Sequence, residues 1–309
     1  MKKLRACFVG IGSIAKRHIK NFYQVCQTNK IELEVDAFRR TKTMVEGINM
    51  VYTDIKQVPN NYDVVFITNP TELHLDSLIK FHDKGKHFFI EKPVVSLRQI
   101  ENAKTFKIRR DSVYYVACPL RYNAVIQYIK SNVNTDSVLS VRAISSSYLP
   151  DWRTGQDYRN SYSAHKELGG GVDIDLIHEW DYLTYIFGFP KEIQSMIGKI
   201  SNLEIDSNDY AIYIADFGKK IVELHLDYFG LKTIREVMLF TKNDTIIGDL
   251  VNNKIEYLKS GRTIDFKEER DDYQKRELLS FINMIRGNTT TEDGYHQGLK
   301  VLEFTQGKV

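Results

Sequence analysis

The stretch Leu4 to Lys20, "LRACFVGIGSIAKRHIK", constrains this chain more than any other. An apolar run ends in Gly-x-Gly, and helical spacing begins immediately afterwards. A strand that turns tightly into a helix is the opening unit of a parallel, doubly wound sheet. In the pattern G-x-G-x-x-A, Gly10 permits the tight turn and Gly12 lets the backbone approach a pyrophosphate. Ala15 keeps the helix close to the strand. The helix begins at Ser13 and Ile14, where unsatisfied N–H groups and the helix dipole face an anion.

The alternation continues. "IELEVDAF", "YDVVFITN", "KHFFIEKP" and "SVYYVACP" read as strands. "NPTELHLDSLIKFHDKG", with Asn69 as cap and Pro70 at the first helical position, and "SLRQIENAKTFKIRR" read as helices. Beyond Pro119 the pattern changes to alternating strands: "SVLSVRAISSSYL", "EIQSMIGKI", "DYAIYIADFG", "KIVELHLDYFG", "TIREVMLFTK" and "DTIIGDLV". These predict a large, mostly antiparallel sheet. Two helices follow, "YQKRELLSFINMIRG" and "GYHQGLKVLEFTQ". A chain of 309 residues is also natural for two cores. The expected class is therefore α/β: a Rossmann-type domain over 1–119, then an α+β domain over 120–309 that binds substrate and forms a homodimer or homotetramer through its sheet.

Composition narrows the partners. A formal charge of +3 without a long basic run argues against nucleic acid and membrane surfaces. The opening residues are broken by glycines and by Lys16 and Arg17, with no small-residue cleavage site, unlike a signal peptide. Three cysteines without a CxxC argue against structural zinc and for a reducing compartment, so a cytoplasmic protein is expected.

The second strand ends "DAFRRTK". Arg39 and Arg40 stand where an acid would meet the ribose of NAD, and paired guanidiniums suit a 2′-phosphate. NADP(H) is therefore favoured, with NAD(H) left open by Asp36.

Five motifs in order, "GIGSIAKRH", "TNPTELH", "EKP" at Glu91-Lys92-Pro93, "PLRYN" and "GGGVDIDLIHEWD", resemble the Gfo/Idh/MocA family of nicotinamide-dependent oxidoreductases, most of which act on sugars. The resemblance implies a cofactor site built from Gly10, Gly12, Ser13, Ile14, Arg39, Arg40, Asn69, Pro70, His74, Glu91 and Arg121. It makes Lys92 the residue that carries or orients the proton of the reacting hydroxyl. A lysine at a buried strand end, held by Pro93, suits that task independently. Many members carry Asp-x-x-x-His on the GGG helix, whereas this chain has Asp175-Leu-Ile-His178. A further departure is Ala15 in place of the third glycine.

On one continuous helix Asp175, His178 and Tyr182 share a narrow stripe, and Glu179 falls inside the apolar arc. Asp175 is expected to orient Lys92 or a substrate hydroxyl. His178 is the candidate general acid or base, because histidine titrates near neutrality. Glu179 is expected to be a buried carboxylate paired with an arginine or a backbone amide. Before the glycines, "LPDWRTGQDYRNSYSAHKELGGG" lacks periodicity, as functional loops do. Its Trp152, Arg153, Tyr158 and Arg159, with Tyr122, Asn123 and Tyr182, point to an anionic substrate. By resemblance, this is a nucleotide-activated or phosphorylated sugar. Two alternatives remain, an NAD-dependent glycoside hydrolase and a dinucleotide sensor without catalysis.

Overall fold

Six parallel strands begin the fold, in a computed structural model that describes residues 3–287 and 294–309. In chain order they are β1 (Lys3–Val9), β2 (Glu32–Phe38), β3 (Met50–Tyr52), β4 (Tyr62–Ile67), β5 (Gly85–Ile90) and β6 (Tyr114–Val116). The helices α1 (Ser13–Thr28), α2 (His74–Phe81) and α3 (Ile100–Lys104) alternate with them. The spatial order β3-β2-β1-β4-β5-β6 reverses between β1 and β4. The crevice at such a reversal is where open α/β sheets receive ligands. Near-continuous burial of Val64 to Ile67 and Phe88 to Ile90 fits strands covered on both faces.

Sequence periodicity missed β3, whose three residues are too short for a pattern. It also made the third helix too long. A 3-10 turn at Leu97–Gln99, closed by a capping box from Ser96, leads into only five α-helical residues.

The remaining elements are α4 (Ala124–Asn132), β7 (Val138–Tyr148), α5 (Val172–Asp175), α6 (His178–Phe187), β8 (Glu192–Gly198), β9 (Tyr210–Asp216), β10 (Ile221–Asp227), β11 (Phe229–Thr241), β12 (Thr245–Asp249), β13 (Lys254–Tyr257), β14 (Thr263–Asp265), α7 (Asp272–Ile285) and α8 (Gly294–Phe304). Strands β7 to β14 form one sheet in the order β14-β13-β12-β11-β7-β10-β9-β8. All its pairs are antiparallel except β7 with β10. One face is packed, with Tyr213 against Trp180 of α6. The other carries exposed apolar side chains: Met196, Ile212, Ile214 and Ile221 on three neighbouring strands.

The boundary expected after residue 119 needs correction at the far end of the chain. The first unit comprises Met1–Ala117 and Gln274–Leu299, and the second Cys118–Tyr273 and Lys300–Val309. The cause is aromatic packing. Phe281 of α7 meets Phe66, Phe89 and Tyr115 of the parallel sheet. Tyr295 of α8 contacts Phe106 and Tyr114 and donates to the Ala103 carbonyl at 3.0 Å. No helix among the described residues is long and apolar enough to cross a membrane.

Candidate active site

In the first unit the ends of β1, β4 and β5 converge. Gly10 has φ +86°, and a Cβ there would lie 2.7 Å from the Cα of Asn69, so only glycine lets the two strand ends approach. Thr68 secures this approach by donating to the carbonyl of Gly10 at 2.8 Å. A Cβ on Gly12 would meet nothing within 4 Å, so the open side of the turn has room for a ligand. Ser13 is exposed and Ile14 half-buried at the start of α1, while Ala15 is fully buried against the sheet. The α1 N-terminus has neither a side-chain cap nor an acidic residue in its first turn. This cradle fits a dinucleotide's phosphates.

The charges at the end of β2 have unequal partners inside the unit. Asp36 is 5% exposed and accepts the Tyr62 hydroxyl at 2.7 Å, with Arg5 at 3.6 Å. Its carboxylate is committed inside the unit. Phe38 ends the strand, and Arg39 and Arg40 beyond it make no ion pair among the described residues.

Glu91 and His74 prove to be internal. The Glu91 carboxylate meets Nε2 of buried His18 at 2.5 Å. Burial raises the pKa of Glu91, but the His18 hydrogen bond and the nearby positive charges outweigh it and hold the group below the usual range. The His74 ring is 1% exposed, with Nδ1 against the Pro93 carbonyl at 3.0 Å and Nε2 against that of Asn69 at 2.9 Å. Both side chains are thus bonded within their own unit. Asn69 turns its amide to Ser77 at 2.8 Å, and Pro70 stands exposed beside it. Lys92 lies half-buried between Glu91 and buried Pro93.

In the second unit the three glycines have separate reasons. A Cβ on Gly170 would sit 2.2 Å from the Tyr162 carbonyl oxygen, and Gly171 has φ +140°. The helix after them is not continuous, contrary to the sequence reading. It breaks at Leu176 (φ −97°, ψ 23°) between α5 and α6, so Asp175 is off the expected stripe, while His178 and Tyr182 keep their spacing on α6. Each side chain is compatible with a helix, so periodicity alone could not find the break.

Asp175, 5% exposed, accepts the Tyr228 hydroxyl at 2.6 Å. Its charge, burial and a hydrogen bond raise the pKa of the Tyr162 hydroxyl. Burial first, then Asp175, raises that of Tyr228. Trp152 meets Tyr228 edge-on at 5.2 Å and bonds Ser147 at 2.9 Å. A cavity of about 310 Å³ opens beside this cluster, lined by Trp152, Arg153, Tyr158 and Asn160 among others. Arg153 stacks on Tyr162 at 5.6 Å and makes no ion pair among the described residues. Arg159, by contrast, is bound by Asp157 at 2.8 Å and Glu204 at 2.9 Å.

Three residues expected at ligand contacts make bonds or contacts inside the second unit. The Arg121 guanidinium grips both Asp181 oxygens, at 2.8 and 3.0 Å. Asn123 is 2% exposed and caps α4 while donating to Glu268 at 2.7 Å. Tyr182 is wholly buried next to Glu179. Tyr122 is half-buried in the preceding 3-10 turn, and His178 half-buried at the start of α6. Glu179 is fully buried and pairs with Arg235 at 2.9 Å, as an arginine partner was expected to do. Tyr162, Tyr228 and His18 escaped the sequence reading, because nothing local marks residues that meet their partners across the fold.

Residues 4–118 match the profile of an oxidoreductase family with an NAD-binding Rossmann fold, Gfo/Idh/MocA. A scyllo-inositol 2-dehydrogenase (NAD(+)) of Bacillus subtilis strain 168 is 24% identical over 205 residues, 63% of this chain and 57% of that protein. The chain spans little more than half the length of the curated relatives it matches, 54% and 57% for two of them. Among solved structures, levoglucosan dehydrogenase in complex with NADH and levoglucosan superposes with a TM-score of 0.83 at 15% identity, covering 99% of this chain and 95% of that one. The WlbA dehydrogenase from Bordetella pertussis in complex with NADH and UDP-GlcNAcA gives 0.76 at 18% identity, with the same coverages of 99% and 95%. At such identities the likeness is one of fold. In the matching residues the glycine turn and the Glu91-Lys92-Pro93 segment follow β1 and β5, the strands on either side of β4.

Proposed function

We propose that the protein is an NAD(P)-dependent oxidoreductase acting on a CH–OH or keto carbon of a sugar, nucleotide-activated or phosphorylated. One observation carries the reading. Gly10, Asn69 and the Lys92 segment close the ends of β1, β4 and β5, three adjacent strands at the sheet's reversal. A bound nicotinamide dinucleotide supplies or accepts the hydride. Gly10, Gly12, Ser13 and Ile14 hold its phosphates. Arg39 and Arg40 favour NADP(H), since Asp36 is committed to Tyr62. The NADH carried by the two structural neighbours keeps NAD(H) as the alternative.

Lys92 carries or orients the proton of the reacting hydroxyl, with His178 as the second acid/base group. Asp175, held by Tyr228, orients a substrate hydroxyl. Trp152, Arg153 and Tyr158 receive the distal part of the substrate. Arg153 is their cation and makes no ion pair among the described residues, which favours an anionic group. The protein works in the cytoplasm, where its three buried cysteines stay reduced. It assembles as a homodimer or homotetramer through the exposed face of the large sheet.

Incubation with NADP⁺ or NAD⁺ and a panel of nucleotide sugars, sugar phosphates and unmodified sugars tests the reading. Nicotinamide absorbance should rise with a phosphate-bearing sugar, and faster with NADP⁺. A rise with unmodified sugars alone would remove the anionic-substrate part. A sugar released with no net cofactor turnover would identify a hydrolase instead.

A further inference from the structure

His74 has been left without a role by the cofactor site, yet its ring is the most constrained titratable group near Lys92. Its Nδ1 meets the carbonyl oxygens of Pro93 at 3.0 Å and Val94 at 3.3 Å, and its Nε2 meets that of Asn69 at 2.9 Å. Carbonyl oxygens only accept hydrogen bonds, whereas a neutral imidazole has a single N–H. With one proton, a bare nitrogen lone pair would face an oxygen lone pair in a site 1% exposed to solvent. Both contacts are satisfied together only when both nitrogens are protonated.

We propose that His74 is held as an imidazolium and that this doubly donating ring is a positioning residue, tying the segment that carries Lys92 to the end of β4. The catalytic consequence rests on the oxidoreductase reading; the charge state does not. Among the charged groups around the ring, Glu91 supplies the negative charge, and Lys92 stands next to it. His18, on α1, bonds Glu91 through Nε2, while its Nδ1 has no hydrogen-bond partner among the described residues. On the turn before α2, Glu72 accepts from Ser96 at 2.9 Å, and Asp76 on α2 pairs outward with Lys80.

Burial is the largest influence on the His74 ring and outweighs the three carbonyl contacts and Glu91, so electrostatics alone holds its pKa below the ordinary imidazole value. The hydrogen-bond geometry argues the other way, because both ring nitrogens face atoms that only accept. Losing a proton would turn one attraction into a repulsion, and the ring could then relieve it only by letting one strand end move. Turnover should therefore carry an alkaline limb that belongs to His74.

The test begins with the full-length protein labelled with ¹⁵N-histidine, the His74 ring being assigned through its bonds to the backbone. At about pH 7, where a free ring is largely neutral, both His74 nitrogens should report as protonated. A singly protonated His74 would overturn the proposal, and this measurement needs no substrate. In His74→Gln, which keeps one donor, kcat should fall about 10²-fold through misplacement of Lys92. The KM for cofactor should stay within about threefold, and the alkaline limb should disappear. An unchanged kcat and pH profile would overturn the positioning role even if the ring is charged. Wild-type protein that turns over no sugar would defeat the functional reading, while the NMR result would still decide the charge state.

Discussion

At the scale of single residues, burial without a partner is the governing cost, and this protein buries several carboxylates. Glu179 has no exposed surface, and burial raises its pKa while Arg235, at 2.9 Å, pulls it down. The pair is one of need rather than of gain, since removing one partner leaves the other desolvated and uncompensated. Arg235→Met should cost about 3–5 kcal/mol in urea unfolding. Glu179→Leu combined with Arg235→Met should recover much of that loss, because an apolar pair needs no compensation. A single variant as stable as the wild type would show that the pair does not support the fold. The need for a partner was legible from the position of Glu179 in an apolar arc. The partner's identity was not, because Arg235 reaches it from a strand far along the chain. Tyr228 and Asp175 are separated in the same way.

Among the secondary-structure elements, glycines and chain breaks decide what periodicity cannot. The strand–turn–helix around Gly10 was legible because its glycines stand at the only spacing that suits the turn. The GGG segment was legible as special, but its consequence was not: α5 ends at Asp175 and α6 starts at His178, so Asp175 leaves the stripe that His178 and Tyr182 still share. Gly170→Ala tests this packing. Its Cβ would lie 2.2 Å from the Tyr162 oxygen and 2.6 Å from that of Ser163, both rigid backbone atoms. Overpacking of this kind costs about 1–3 kcal/mol. The variant should unfold at lower urea and show a displaced Tyr162, with reduced turnover. Wild-type stability and activity would mean that the 162–171 segment is free to move and does not support Asp175.

For the whole molecule, fold class was readable because alternating strands and helices followed by alternating strands leave few arrangements. The return of α7 to the first unit was not, since its aromatic contacts with Phe66 and Phe89 carry no local signal. The exposed row of Met196, Ile212 and Ile214 is a surface that solitary proteins rarely leave open. Ile214→Lys should convert the assembly to monomers in sedimentation velocity without unfolding them. A wild-type protein that already sediments as a monomer would end the proposal of assembly through this face.

The central claim is that Lys92 handles the substrate proton beside a cofactor held by the glycine turn. Its most direct test compares wild type and Lys92→Ala in both turnover and cofactor affinity. Turnover should fall by about 10²–10⁴-fold, the span of general acid–base catalysis, with cofactor affinity nearly unchanged. Retention of most of the activity, or loss of cofactor binding in parallel with turnover, would contradict the account.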